Sequence, residues 1–180
     1  MKERLLYLAN ILLFAIAALI LASVQTSLWF QIFGYFPGPA LWIPVLIYVA
    51  LYRTTLEAAV FAYVIGLALS SMTAMPEGIL MIVCLALALS AQLFKRRIYW
   101  ESSSYIMLSC GLASLLFNFF HWAVTFALGD HALTSPAVMD WMIEALLTPL
   151  VAPPLFPLFA WFDRLTNREP TSEVTSSSQV

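Results

Sequence analysis

The sequence predicts an all-α, polytopic integral membrane protein with six transmembrane helices and both termini on the cytoplasmic side. Three observations predict it. Of 180 residues, 62% are hydrophobic and 10% charged, with a mean hydropathy of +0.90, whereas a soluble domain is about 45–50% apolar and about 25% charged. A folded chain of this size cannot hide so much apolar surface from water, so lipid must be the solvent for most of it. Apolar runs of spanning length recur along the chain, and the basic residues fall only in alternate gaps between them.

The first run, residues 5–24, has the roughly 20 apolar residues that a bilayer requires. Lys2, Arg4 and the small residues around Ala22 give it the outline of a secretory signal. Its apolar stretch exceeds the roughly 7–15 residues of a signal core, which predicts a retained span. Residues 27–38 follow, rich in Trp29, Phe30, Phe33, Tyr35 and Phe36, and read as an interfacial or re-entrant segment at headgroup depth. The second span, residues 39–52, contains Pro44 and is short. About 14 residues rise roughly 21 Å against a hydrocarbon core of about 30 Å. Either the aromatic segment before it dips into the membrane or the bilayer thins beside it.

The third, fourth, fifth and sixth spans cover residues 58–75, 78–94, 103–128 and 142–162. With this map Lys2, Arg4, Arg53, Lys95, Arg96, Arg97, Arg164 and Arg168 all lie inside, which is every basic residue in the chain. The outer loops carry Glu77, Asp130, His131 and Asp140. Trp29, Trp42 and Trp141 fall near the outer interface, and Tyr99, Trp100 and Trp161 near the inner one, as an aromatic belt would. Residues 1–168 make a single transmembrane domain. Residues 169–180, Ser-rich and without aromatics, read as a disordered cytoplasmic tail.

Composition also excludes function classes. A net charge of -2 offers no basic face to a nucleic-acid backbone. Cys84 and Cys110 lie inside apolar runs with no Cys or His at ligand spacing, so neither a disulfide framework nor a metal site is expected, and no cofactor.

Helices in lipid associate through small residues and polar contacts, because lipid tails are as apolar as Leu. Ala58, Ala62, Gly66, Ser70 and Ala74 recur every four residues on the third span, a face made for close packing against another helix of this chain or of a partner. The first span has a shorter version in Ala18 and Ala22. The fifth span carries a sustained polar face of Cys110, Ser114, Asn118, His121 and Thr125. Polar groups at membrane depth must face protein or a wet cavity, which leaves two readings: a ligand pocket or proton relay, or groups satisfied by neighbouring helices. The sixth span contains Pro149, Pro153, Pro154 and Pro157, which predicts a kinked or broken helix. Asp140 and Glu144 at its outer end either ring a cavity mouth or sit solvated near a helix N-terminus. Ser114, Asn118, His121, Asp140, Glu144, Pro149 and Pro153 are thus the candidate cavity.

Catalysis is not expected. The chain has no Gly-rich phosphate loop, no His-Glu-x-x-His helix and no paired intramembrane Asp. Ser114 and His121 share a face, but seven residues separate them by roughly 10 Å along the axis, beyond hydrogen-bond reach.

The segments Pro44-Val-Leu-Ile-Tyr48-Val-Ala-Leu-Tyr52, Gly66-Leu-Ala-Leu-Ser70 and Pro157-Leu-Phe-Ala-Trp-Phe-Asp-Arg164, set in six spans over residues 5–168, resemble the MreD family of rod shape-determining inner-membrane proteins. Many members carry an Asp after the Gly-containing third span. Ser70 or Ser71 stands there in this chain, so no role resting on that carboxylate is carried over. The resemblance implies a non-enzymatic scaffold of bacterial cell elongation in the inner membrane. Its implied partners are a bitopic MreC-like protein and, through it, the peptidoglycan synthase and transpeptidase and MreB, with membrane lipid around it. The family is similar in fold to the substrate-binding subunits of energy-coupling-factor vitamin transporters, which supplies an alternative. Those subunits dock their partner through small residues in the first span, as Ala18 and Ala22 would, and hold a vitamin in an outward-facing pocket, where His121, Asn118, Asp140 and Glu144 would sit.

Overall fold

Helices supply all the regular structure of the computed structural model, which describes residues 2–72, 77–95, 103–127 and 137–166. Helix α1 (Lys2–Ser23) passes without a break into a π-helical stretch (Val24–Trp29) and a last turn, α2 (Phe30–Phe33). Then come α3 (Ile43–Tyr52), α4 (Thr55–Ser70), α5 (Glu77–Lys95), α6 (Ser103–Ala127) and α7 (Val138–Leu165). Among the described residues, Leu6–Phe33, Gly78–Lys95, Ser104–Ala127 and Val138–Leu165 are long and apolar enough to cross a membrane, and Ile43–Tyr52 and Thr55–Ser70 are shorter apolar helices.

The short helix α3 is the centre of the molecule. Every residue from Ile43 to Ala50 is buried, and α1, α4, α5, α6 and α7 all pack on it. A helix that is apolar on all sides belongs in an interior, and this one rises only about 15 Å. Protein rather than lipid surrounds it, so its length need not match the bilayer. Phe14 of α1, fully buried, knits the layers: its ring lies 5.7 Å from Tyr48 in α3, and 5.9 Å from Phe61 in α4 and from Phe159 and Phe162 in α7.

Burial leaves the ends of α3 with backbone groups that water cannot reach, and these must find partners inside the protein. Other helices provide them. Before its first turn, the Ala40 N–H donates to Thr148 Oγ1 of α7 at 3.0 Å, and the Leu41 N–H donates to Gln25 Oε1 of the π-helical stretch at 3.0 Å. At its far end, Gln92 Nε2 of α5 donates to Ala50 O at 2.6 Å and to Arg53 O at 3.1 Å. Gln92→Leu should therefore cost about 1–3 kcal/mol by stranding buried carbonyls. Chemical unfolding in detergent checks this, with Ser90→Ala on the same helix as the control, since Ser90 bonds only its own helix at Ala86 O.

Residues 27–38 do not dip separately into the bundle. They continue α1 and then turn at Gly34, whose φ of 64° lies in the left-handed region that glycine tolerates. Trp29 folds over this turn, its Nε1 donating to Phe36 O at 3.0 Å and its ring 4.3 Å from Phe33. Trp42 is buried, with its ring 4.8 Å from Phe117 of α6. Its position one residue before α3 carries it inward with that helix.

Thr54, with Glu57 three residues on, caps the start of α4. The small-residue stripe of this helix faces inward: Ala58, Ala62, Gly66 and Ser70 are all buried, and Ala74 lies outside the described residues. Gly66 brings the α4 backbone against α5, where a Cβ would stand 2.7 Å from Met81 Cα and 3.2 Å from Leu80 O. The stripe is spent within the chain and is not a face open to a partner. Ala18 and Ala22 of α1 are buried as well.

Four prolines do not break α7, which runs as one helix from Val138 to Leu165 with all of them inside. Pro149 has no N–H for Ala145 O, and Gly111 of α6 lies against this point. A Cβ there would be 2.9 Å from Pro149 Cγ and 3.1 Å from Ala145 O. Glycine lets the two helices close over the freed carbonyl.

Candidate functional site

From Gly111 the seam between α6 and α7 becomes polar. Ser114 and Asn118, one turn apart, present their side chains to α7. Ser114 Oγ donates to Glu144 Oε1 at 3.1 Å, and Asn118 Nδ2 donates to Glu144 Oε2 at 3.1 Å and to Ser114 O at 3.1 Å. Glu144 is thus half-buried with both oxygens bonded across the seam, in place of either position expected for it at a helix end. One turn further along α7, Thr148 Oγ1 donates to Glu144 O at 2.8 Å while accepting from Ala40 N. The line from Asn118 through Glu144 to Thr148 ends on the backbone that enters α3.

The structure therefore brings together four of the candidate cavity residues: Ser114, Asn118, Glu144 and Pro149. His121 is placed differently: its ring lies parallel to Phe117 at 6.1 Å, and its carbonyl accepts from Thr125 Oγ1 at 2.8 Å. Asp140 is exposed in the first turn of α7, and Pro153 is half-buried one turn beyond Pro149. Chemically, the seam is a carboxylate held by a hydroxyl and an amide, which makes it a brace between helices. Glu144→Leu should strand both α6 donors and cost about 1–3 kcal/mol. A thermal unfolding scan with Asp140→Leu as an exposed control checks this, and equal midpoints for the two variants would show that Glu144 does not brace α6 against α7.

A second polar centre lies at the opposite end of α7. Asp163, fully buried, is held from three directions. Arg53, at the corner between α3 and α4, pairs with its Oδ1, Asn10 Nδ2 of α1 donates to the same oxygen at 3.1 Å, and Tyr48 Oη of α3 donates to Oδ2 at 2.7 Å. Asn10 also donates to Thr166 Oγ1 at 2.8 Å and accepts from the Arg53 guanidinium at 3.2 Å. Arg53 is 2% exposed, and its Nε is the one buried side-chain polar atom without a partner among the described residues. The centre joins α1, α3, α7 and the α3–α4 corner, with its two opposite charges paired in a buried site.

Sequence reasoning did not assemble this centre. Arg53 read as a cation between the second and third spans, Asp163 stood only as part of the Pro157–Arg164 segment, and Asn10 carried no reading. The available signal was isolation: each stands in or at the edge of a run that is otherwise apolar, where an ionisable or amide group must find a partner. Cys84 and Cys110 are both buried and unpaired as thiols. Comparison with protein-family profiles, with curated proteins and with solved structures found no match for this chain.

Proposed function

We propose that this chain is a non-enzymatic, multi-pass scaffold of the bacterial inner membrane, crossing it six times with both termini in the cytoplasm and assembling with the cell-elongation machinery. Its partner in this reading is a bitopic MreC-like protein, which connects it to the peptidoglycan synthase and transpeptidase and to MreB. One observation carries the reading. Two of the four side chains that a solute-binding subunit would offer to cargo, Asn118 and Glu144, are spent on each other together with Ser114, and Gln25, Thr148 and Gln92 are spent on the two ends of α3. Such a chain is built to hold a fixed shape. The MreD resemblance of its second, third and final spans supports the same reading, and so does the placement of Arg53 and Lys95 at one end of the bundle, with Lys95 Nζ 3.5 Å from Arg53 O. Ala18 and Ala22, the pair that would dock an energy-coupling subunit, are buried inside the chain.

Affinity purification of the full chain from its native membrane, followed by mass spectrometry, tests the proposal. Recovery of an MreC-like protein and cell-wall synthases supports it. A pair of transporter ATPases with no cell-wall protein overturns it. Alkaline phosphatase fused after residue 74 or residue 132 should be active, and fused after residue 53 or residue 98 inactive, if the chain crosses six times as proposed.

A further inference from the structure

A trough opens on the side of the bundle between α5 and α6, with α3 behind it. These two helices meet less extensively than α5 meets α4 or α6 meets α7, and small side chains at Ala91, Ser109 and Ala113 keep the gap open. Ile47, Leu87 and Ala113 form a buried floor, while Phe94 and Leu108 stand exposed along the rim, Leu108 by 71%.

The two ends of the trough differ. One is lined by Ile47, Leu87 and Leu116, midway along their helices. The other ends at Leu51, Phe94 and Tyr105, where α5 finishes with Lys95, and Arg96 and Arg97 follow Lys95 in the sequence. Along α6 it runs from Tyr105 to Leu116, a rise of about 16 Å. That is about half of a hydrocarbon core of roughly 30 Å, too short a seat for a transmembrane helix of a partner. An apolar channel of this length, open on one side, with the Lys95 ammonium 3.5 Å from Arg53 O just past its Phe94 end, fits an acyl chain beneath an anionic headgroup.

We propose that the α3–α5–α6 trough is a binding site for one anionic phospholipid, with an acyl chain along Ala91 and Ala113 and the headgroup phosphate at Lys95. The site requires only that these helices lie in a bilayer, so it stands apart from the scaffold role. Native mass spectrometry of the full chain tests it, with phosphatidylglycerol and phosphatidylcholine of identical acyl chains as the probes. Phosphatidylglycerol should be retained as a single adduct, and Lys95→Gln should lower its preference over phosphatidylcholine roughly five-fold, as about 1 kcal/mol per surface cation implies. Ala91→Phe should abolish the adduct by filling the gap between α5 and α6. Leu108→Trp, a change at an exposed rim position that folding tolerates, should weaken it by covering the opening. An adduct indifferent to both Ala91→Phe and Leu108→Trp overturns the site. So does equal retention of the two lipids, or a photo-reactive residue at position 108 that couples in native membranes to a protein instead of to phospholipid.

Discussion

Asp163→Ala should lower the unfolding free energy by about 3–5 kcal/mol, the loss expected when one member of a buried ion pair is removed and the other stays behind. Arg53, 2% exposed, would then face the interior with its charge uncompensated, and Tyr48 and Asn10 would each lose an acceptor. For a chain of this length the fall in Tm is roughly 6–20 °C. The ion pair itself is a different quantity. Exchanging both charges for apolar groups removes the desolvation cost together with the attraction, so the double variant Arg53→Met with Asp163→Leu should recover most of what the single variant loses. Thermal scans of the wild type, both single variants and the double variant in one detergent decide the matter. Additive losses in the double variant would mean that the two residues act independently and that the centre is not one unit.

Gly66→Leu should prevent the α4–α5 hairpin from closing. The atoms that a Cβ would meet at Gly66 are Met81 Cα at 2.7 Å, Met81 N at 3.1 Å and Leu80 O at 3.2 Å. All belong to the backbone of a packed helix, which cannot turn aside as a flexible side chain can. Even Gly66→Ala forces the helices apart and should cost about 1–3 kcal/mol, as overpacking of a tight core does. Leucine goes well beyond that, and the variant should be recovered aggregated or degraded. Gly78 provides the control, because a Cβ there meets nothing within 4 Å. Gly78→Ala should express and unfold like the wild type, and a Gly66→Leu protein as stable as this control would show that α4 and α5 do not pack as described.

What the sequence made legible follows from what hydropathy records. The runs at residues 78–94, 103–128 and 142–162 reappear as α5, α6 and α7, since apolar length alone identifies a helix suited to lipid. The stripe through Ala58, Ala62 and Gly66 was legible because small residues at helical spacing have one common use in membranes. The role of α3 was not. Its shortness reads as a mismatch with the bilayer only when lipid is taken to be its neighbour, and hydropathy does not distinguish a lipid neighbour from a protein one. The polar face of α6 was legible at Ser114 and Asn118, whereas their union with Glu144 depends on the register of α6 against α7, 30 and 26 residues away. Still further apart are the members of the Asp163 centre, at separations of 110 residues from Arg53 and 153 from Asn10.

Such separations also impose an order in time. Helix α3 is made early, but Thr148, which satisfies its first turn, and Asp163, which binds Tyr48 and Arg53, are made more than 100 residues later. During synthesis Gln25 and then Gln92 can reach the two ends of the central helix, while Ala40 N, Tyr48 and Arg53 wait for their partners on α7. The innermost element of the protein is among the last to be completed, because the contacts that finish it lie on the final helix.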